Sequence, residues 1–391
     1  MKQTAANSLR LKFYTFSFFD DFILIYPLYT LLFADRGVSA AKISSLLFAW
    51  SLTAFLLEVP SGAIADKFNR KYVLLTGLAF RALGFTFWLL MPNYWGFLIG
   101  FICWGIKSAL TSGTLEALLY DELAKVEETK RYAKISGRME ALSLVAVTAA
   151  GLGASILAPG GYALLLVLSI VAIVVSAVAI AVLPSQRRVQ STGETQYLHY
   201  LRSGVHEAIR HPVVLLAVLA LSLIIGLGAA DEYFELLFRE NGLSNAAVSF
   251  WYAVLGVCGV VGAVFAHKFE HTKRPTTIIL VALGCLLAAT GLMHGLTVPI
   301  VVGVFALVFA SAKVLLGADL QHAISDTARA TTTSVSGLLS EVAALFVFGV
   351  VGLSSQLGNY SVSFRIVGAA LLVLAVLFGC AKAFIVHKQG R

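Results

Sequence analysis

The sequence predicts an all-α membrane protein with twelve transmembrane helices in two pseudo-symmetric six-helix bundles. Three observations carry this. Of the 391 residues, 59% are hydrophobic and only 13% charged, with a mean hydropathy of +0.86, far more apolar than a soluble domain of this length needs. Apolar runs long enough to span recur at about 12–33, 43–65, 72–92, 94–119, 135–158, 161–183, 212–237, 246–266, 276–294, 297–319, 334–357 and 362–385. The long polar break from Pro184 to Pro212 divides them six and six, so the expected layout is a bundle over 1–184, a cytoplasmic central loop over 185–211 and a second bundle over 212–391.

The first run, Leu11 to Phe33, carries two adjacent carboxylates, Asp20 and Asp21. At 1.5 Å of rise per residue, Asp20 lies roughly 15 Å past Arg10, near the centre of an apolar layer of about 30 Å. Charge at that depth is expensive and marks a solute or proton pathway by default. Aromatic residues crowd the same run, Tyr26 among them, and Pro27 supplies a place to bend. The polar start, Met1 to Arg10, leads into a run too long for a signal-peptide core, so the first helix is expected to stay in the mature chain.

Later spans repeat the theme. Lys107 of span 4 sits about 21 Å from the outer end of its helix, counted from Asn93, and Lys313 of span 10 is as deep counted from Pro299. Asp231, Glu232 and Glu235 follow 18 apolar residues in span 7, a position at the outer mouth. Arg81, nine residues into span 3, is expected to pair with Glu58 or Glu140 as a structural bridge. Glu116, Glu140 and Glu341 stand near cytoplasmic ends, where they suit inner gates or intramembrane pairs.

The two halves echo one another within a few residues of an offset of 200–206 residues, the pattern of a duplicated bundle. Asp20 and Asp21 match Asp231 and Glu232, Lys107 matches Lys313, Asp121 matches Asp326, and Ser136-Gly137 before Glu140 matches Ser336-Gly337 before Glu341.

The formal charge of +8 follows membrane topology. With both termini cytoplasmic, the opposite side holds only Arg36, Lys42, Arg239 and Arg365 of the 29 Lys and Arg residues, and Arg81, Lys107 and Lys313 lie inside spans. That argues against a nucleic-acid partner. The four cysteines fall in apolar runs without metal-type spacing, and His267 and His271 lack a third ligand nearby, so neither disulfide nor metal site is expected. No phosphate-binding loop occurs, which leaves an ion gradient as the energy source, with H+ preferred to sodium and no cofactor. No nucleophile and base are proposed by spacing, so an enzyme is not expected.

Between spans 2 and 3, Gly62-Ala63-Ile64-Ala65-Asp66-Lys67-Phe68-Asn69-Arg70-Lys71 resembles the signature loop of the major facilitator superfamily: Gly, an apolar stretch, Asp, a basic residue, Gly, then Arg and a basic residue. Asn69 stands at the second Gly position, where Asn tolerates left-handed backbone. Residues 262–269 are a degraded copy with His267 in place of the Asp. Glu58-Val59-Pro60-Ser61-Gly62, and Ser112 to Asp121 in span 4, are similar to a permease branch of that superfamily, whereas the span 5 antiporter pattern is poorly matched by Gly151 to Pro159.

The resemblance implies that spans 1, 4, 7 and 10 line a substrate path holding Asp20, Asp21, Lys107, Lys313, Asp231, Glu232 and Tyr26. It also implies that Gly62, Asp66, Arg70 and Lys71 latch one arrangement of the halves. The expected activity is proton-coupled, alternating-access transport of a small anionic or zwitterionic solute, such as a carboxylate metabolite or siderophore, by a monomer in the inner or plasma membrane. Export of cationic drugs by proton antiport is the alternative within transport. A non-transporting receptor or a lipid-handling protein is the alternative outside it.

Overall fold

The computed structural model describes residues 2–183, 212–269, 276–324 and 329–389. The expected central loop, Asp326 and His271 lie outside them, and so does the side chain of Asp66. All regular structure among the described residues is helical.

In the first half, α1 (Lys2–Asp21), α2 (Tyr29–Asp35), α3 (Ala40–Lys67), α4 (Arg70–Leu90), α5 (Tyr94–Thr111), α6 (Thr114–Lys125), α7 (Tyr132–Leu157) and α8 (Gly161–Ala181) follow in order. The second half comprises α9 (Pro212–Leu227), α10 (Phe234–Glu240), α11 (Asn245–Phe265), α12 (Thr276–Thr290), α13 (Thr297–Ala323), α14 (Arg329–Ser354) and α15 (Tyr360–Gln389). Among the described residues ten stretches are long and apolar enough to cross a membrane by length and composition; one of them, Thr129–Ala181, contains both α7 and α8, and α12 falls short of spanning length. Helices therefore occupy each of the twelve expected segments.

Three of the expected spans are broken, two of them at a point the local chemistry explains. Span 1 stops at Asp21 and resumes through a 3-10 turn, Tyr26–Leu28, because Pro27 has no amide hydrogen to carry the helix on. The amide of Ile25, freed by the break, donates to Ser169 Oγ at 3.1 Å. Span 4 divides at Gly113, whose φ of +67° suits glycine, leaving Lys107 in the last turns of α5. In span 7 a 3-10 stretch, Gly228–Tyr233, holds both Asp231 and Glu232.

The turn between α3 and α4 is built differently from what its sequence suggests. Asn69 has φ −67° and ψ 119°, an extended N-cap whose side chain accepts from the Lys71 amide at 3.0 Å. It does not use the left-handed backbone that a glycine there would supply; capping is what Asn contributes.

The described chain forms two compact units. The first takes residues up to Val38, those from Ala49 through the first half, and Asn245–Ala253; the second takes Ser39–Phe48 and the rest of the second half. The exchanged segments are equivalent under the internal repeat, since Ser39 and Asn245 stand 206 residues apart.

Within the first unit α4 and α5 pack at backbone distance. A Cβ on Gly84 would lie 2.8 Å from the Gly100 carbonyl, and one on Gly100 would lie 2.0 Å from Trp88 Nε1. Around that contact Phe33, Phe85, Trp88, Phe97, Phe101 and Trp104 form a continuous aromatic core, with Phe33 and Phe97 centroids 4.1 Å apart. Trp88 Nε1 donates to the Phe97 carbonyl at 3.2 Å, so the indole is buried without an unmet donor.

Candidate functional site

Asp20 occupies the last turn of α1, where backbone carbonyls have no partner inside the helix. Arg81 of α4 answers both groups that this end presents. Its Nη1 donates to the Asp20 carbonyl at 2.6 Å and to Asp20 Oδ1 at 2.8 Å. A cation at a helix C-terminus is favoured by the peptide dipoles as well as by the carboxylate. Lys107 of α5 reaches the other oxygen, Nζ to Oδ2 at 3.1 Å. One carboxylate thus holds two cations, all three groups shielded: side-chain exposure is 2% for Arg81, 13% for Asp20 and 14% for Lys107.

This corrects the expected partner of Arg81. The pairing runs to Asp20, not to Glu58 or Glu140, because the break after Asp21 leaves the α1 terminus open opposite α4. Glu58 instead accepts a hydrogen bond from Ser112 Oγ at 3.0 Å.

Aromatic side chains fix the guanidinium from its other side. Arg81 Nη2 donates to the Tyr26 hydroxyl, and its central carbon lies 5.3 Å from the Tyr26 ring centroid and 6.0 Å from that of Trp104. Tyr26 and Trp104 stack at 5.1 Å with an interplanar angle of 3°. The break at Pro27 turns Tyr26 back over the ion cluster, so the proline serves positioning.

Asp21 has a different environment. Ser143 Oγ of α7 donates to its Oδ2, and no cation stands within ion-pair distance of it among the described residues. Its charge is nevertheless felt by Asp20, Arg81, Lys107 and Glu140. Beside it opens a cavity of about 190 Å³ lined by Asp20, Asp21, Glu116, Glu140, Ser136 and Ser143 together with Phe16, Ser17, Leu115, Leu119 and Met139. A polar space of that size accommodates several waters. Two of the acids expected near cytoplasmic ends, Glu116 and Glu140, therefore share one chamber with the acid pair.

In the signature turn the basic residues are tied within their own unit. Arg70 Nη1 donates to Asp121 Oδ2 at 2.6 Å and to the Ala117 carbonyl at 3.2 Å. Lys71 Nζ donates to the Ala181 and Leu183 carbonyls at 2.7 and 2.5 Å, capping the end of α8. Gly62 lies inside α3, exposed and with open space where a Cβ would go.

The second unit repeats the residue types but not the contacts. Asp231 and Lys313 are exposed, near enough for their charges to interact without forming an ion pair. Glu232 is half-buried. Glu235, expected at a solvated mouth, is instead 6% exposed, because α10 turns it inward, and its Oε2 has no hydrogen-bond partner among the described residues. Glu341 is half-buried on α14.

Two participants were missed from sequence, Ser143 and Trp104. Serine in an apolar span carries no signal of its own. Trp104 did carry one, since it precedes Lys107 by three residues and so shares its helix face.

A multi-pass helical membrane protein that gathers Asp20, Arg81 and Lys107 around a break in its first span, beside a polar chamber, belongs to the class of solute transporters. The chain belongs to the Major Facilitator Superfamily, whose family profile matches residues 13–347. It is a transporter and not an enzyme. The inner membrane transport protein YajR of Escherichia coli (strain K12) is 30% identical over 114 residues, which is 29% of this chain and 25% of YajR, so the match spans a quarter of that relative. Among solved structures, the nucleoside transporter NupG (D323A mutant) superposes with a TM-score of 0.78 at 12% identity, covering 95% of this chain and 99% of that one. A D-xylose–proton symporter gives 0.69 at 14% identity, covering 97% of each. At such identities these two establish the fold.

Proposed function

We propose that the protein is a proton-coupled secondary transporter of a small anionic or zwitterionic organic solute, working by alternating access as a monomer with both termini in the cytoplasm. The observation that carries this reading is the unequal treatment of the acid pair. Asp20 is committed to Arg81 and Lys107, whereas Asp21 can take up a proton without breaking an ion pair.

The charge arithmetic then gives coupling. With Asp21 ionised, two cations face two carboxylates and the cluster is neutral. With Asp21 protonated, the same cluster carries one net positive charge and attracts an anion, with Lys107, the more exposed cation, as its contact. Proton loading and anion binding favour each other, which is the linkage a symporter needs. Glu116 and Glu140, in the chamber beside Asp21, are placed to pass the proton. The D-xylose–proton symporter, which shares the fold, supports protons as the coupling ion.

The test is uptake by proteoliposomes holding the purified full-length chain, comparing radiolabelled carboxylates with organic cations, with and without an inward proton gradient. Gradient-driven carboxylate uptake that Lys107→Ala abolishes is the expected result. Gradient-driven movement of the cations, unaffected by Lys107→Ala, would instead establish the drug-exporter alternative.

A further inference from the structure

Away from the ion cluster, α9, α14 and α15 of the second unit enclose an apolar groove of about 570 Å³. Its floor includes Leu227, Val347 and Leu371, exposed by 3%, 6% and 2%, while Val342, Phe346 and Leu377 on its rim are exposed by 52%, 60% and 59%. The one hydroxyl on its wall, Ser222, is turned away to donate to the Ser336 carbonyl at 3.0 Å. Nothing in the groove calls for water, so hydrocarbon is its natural filling.

Dimensions narrow the occupant. Along α9 the lining runs from Leu216 to Leu227 and along α15 from Val367 to Ala381, which at 1.5 Å per residue is about 16 to 21 Å. That is a little more than half of an apolar layer of about 30 Å, the reach of a single lipid chain entering from one face.

The polar end is marked by charge. The groove reaches the end where α9 begins and α15 finishes, and there Lys382, next after the lining residue Ala381, is half-buried and makes no ion pair among the described residues. Lys388 follows on the same helix and Arg210 precedes α9 in sequence. A long amphipathic lysine at an apolar boundary presents its ammonium to a headgroup while its stem lies along the chain. We propose that this groove is a binding site for one acyl chain of an anionic phospholipid, whose phosphate pairs with Lys382.

The experiment places a tryptophan on the rim, Phe346→Trp, in the full-length protein reconstituted in nanodiscs. Quenching of the added fluorescence is followed as dibromo-phosphatidylglycerol or dibromo-phosphatidylcholine replaces unlabelled lipid. Val304→Trp, an exposed position on α13 outside the groove, reports ordinary lipid contact. The expected result is half-maximal quenching of the rim tryptophan at a tenfold or more lower fraction of the anionic lipid, with Val304→Trp quenched alike by both. Lys382→Glu then raises the anionic lipid's half-point to that of the neutral one, and Lys382→Gln guards against a misfolded charge reversal by shifting it in the same direction. Equal half-points at the rim with Lys382 intact would overturn the proposal. So would half-points unmoved by either Lys382 variant, or a rim tryptophan shielded from both lipids together with cross-linked dimers.

Discussion

Asp20 and Arg81 are joined twice, once through the carboxylate and once through the backbone carbonyl, both by the same guanidinium nitrogen. A helix end and a side chain act there as one acceptor. The pair is therefore structural as well as functional, and its removal differs from removal of either neighbour.

Asp20→Asn leaves Arg81, 2% exposed, facing an uncharged partner. Stripping one member from a buried pair costs about 3–5 kcal/mol, so a large fall in thermal stability of the detergent-solubilised protein is expected. A loss under about 1 kcal/mol would mean that the guanidinium is hydrated, as in exposed ion pairs.

Asp21→Asn should leave the fold intact, because the amide oxygen still accepts from Ser143 and no ion pair is touched. Its effect falls on pH dependence. In the unaltered protein anion binding weakens as pH rises, since loss of the Asp21 proton removes the net positive charge of the cluster. In the variant, thermal shifts produced by a bound carboxylate should become flat across that pH range. A retained slope would move the coupling proton elsewhere.

Arg81→Lys keeps the charge and should still fail. A single ammonium cannot span the carbonyl and carboxylate of Asp20 while also donating to the Tyr26 hydroxyl. Proteoliposome uptake is expected to fall at least tenfold, with expression less affected than in Asp20→Asn.

Gly100→Ala drives a methyl group against the Trp88 indole, and overpacking of this kind costs about 1–3 kcal/mol. Gly62→Ala has open space and helical backbone, so its stability should be unchanged or slightly raised. Paired thermal unfolding curves separate a packing glycine from the signature-loop glycine.

Asn69→Ala removes the cap of α4 and should cost about 1 kcal/mol, whereas Asn69→Gly should cost only a few tenths. If the glycine variant were the more stable protein, the left-handed reading of the signature turn would be correct after all.

Much of this was legible in the sequence and some was not, for particular reasons. The spans, the duplication and the acid pair stand out because hydropathy and misplaced charge are strong one-dimensional signals. The partner of Arg81 was hidden because α4 is apolar almost all round, with no polar stripe to show which neighbour it faces. The break after Asp21 had one visible cause, Pro27, whose consequence for the Asp20 carbonyl appears only when α4 is laid against it. Glu235 was placed by counting residues from the start of its span, and counting does not know that Gly228–Tyr233 winds more tightly than an α-helix.

The double occupancy of Asp20 has a consequence for how the site opens. A solute carboxylate that draws Lys107 away does not strand the acid, because Arg81 stays clasped to it. The lysine merely trades one anion for another. Departure is then governed by the small difference between two similar embraces and not by the whole cost of baring a charge in oil, and that is what allows a deeply placed ion cluster to turn over.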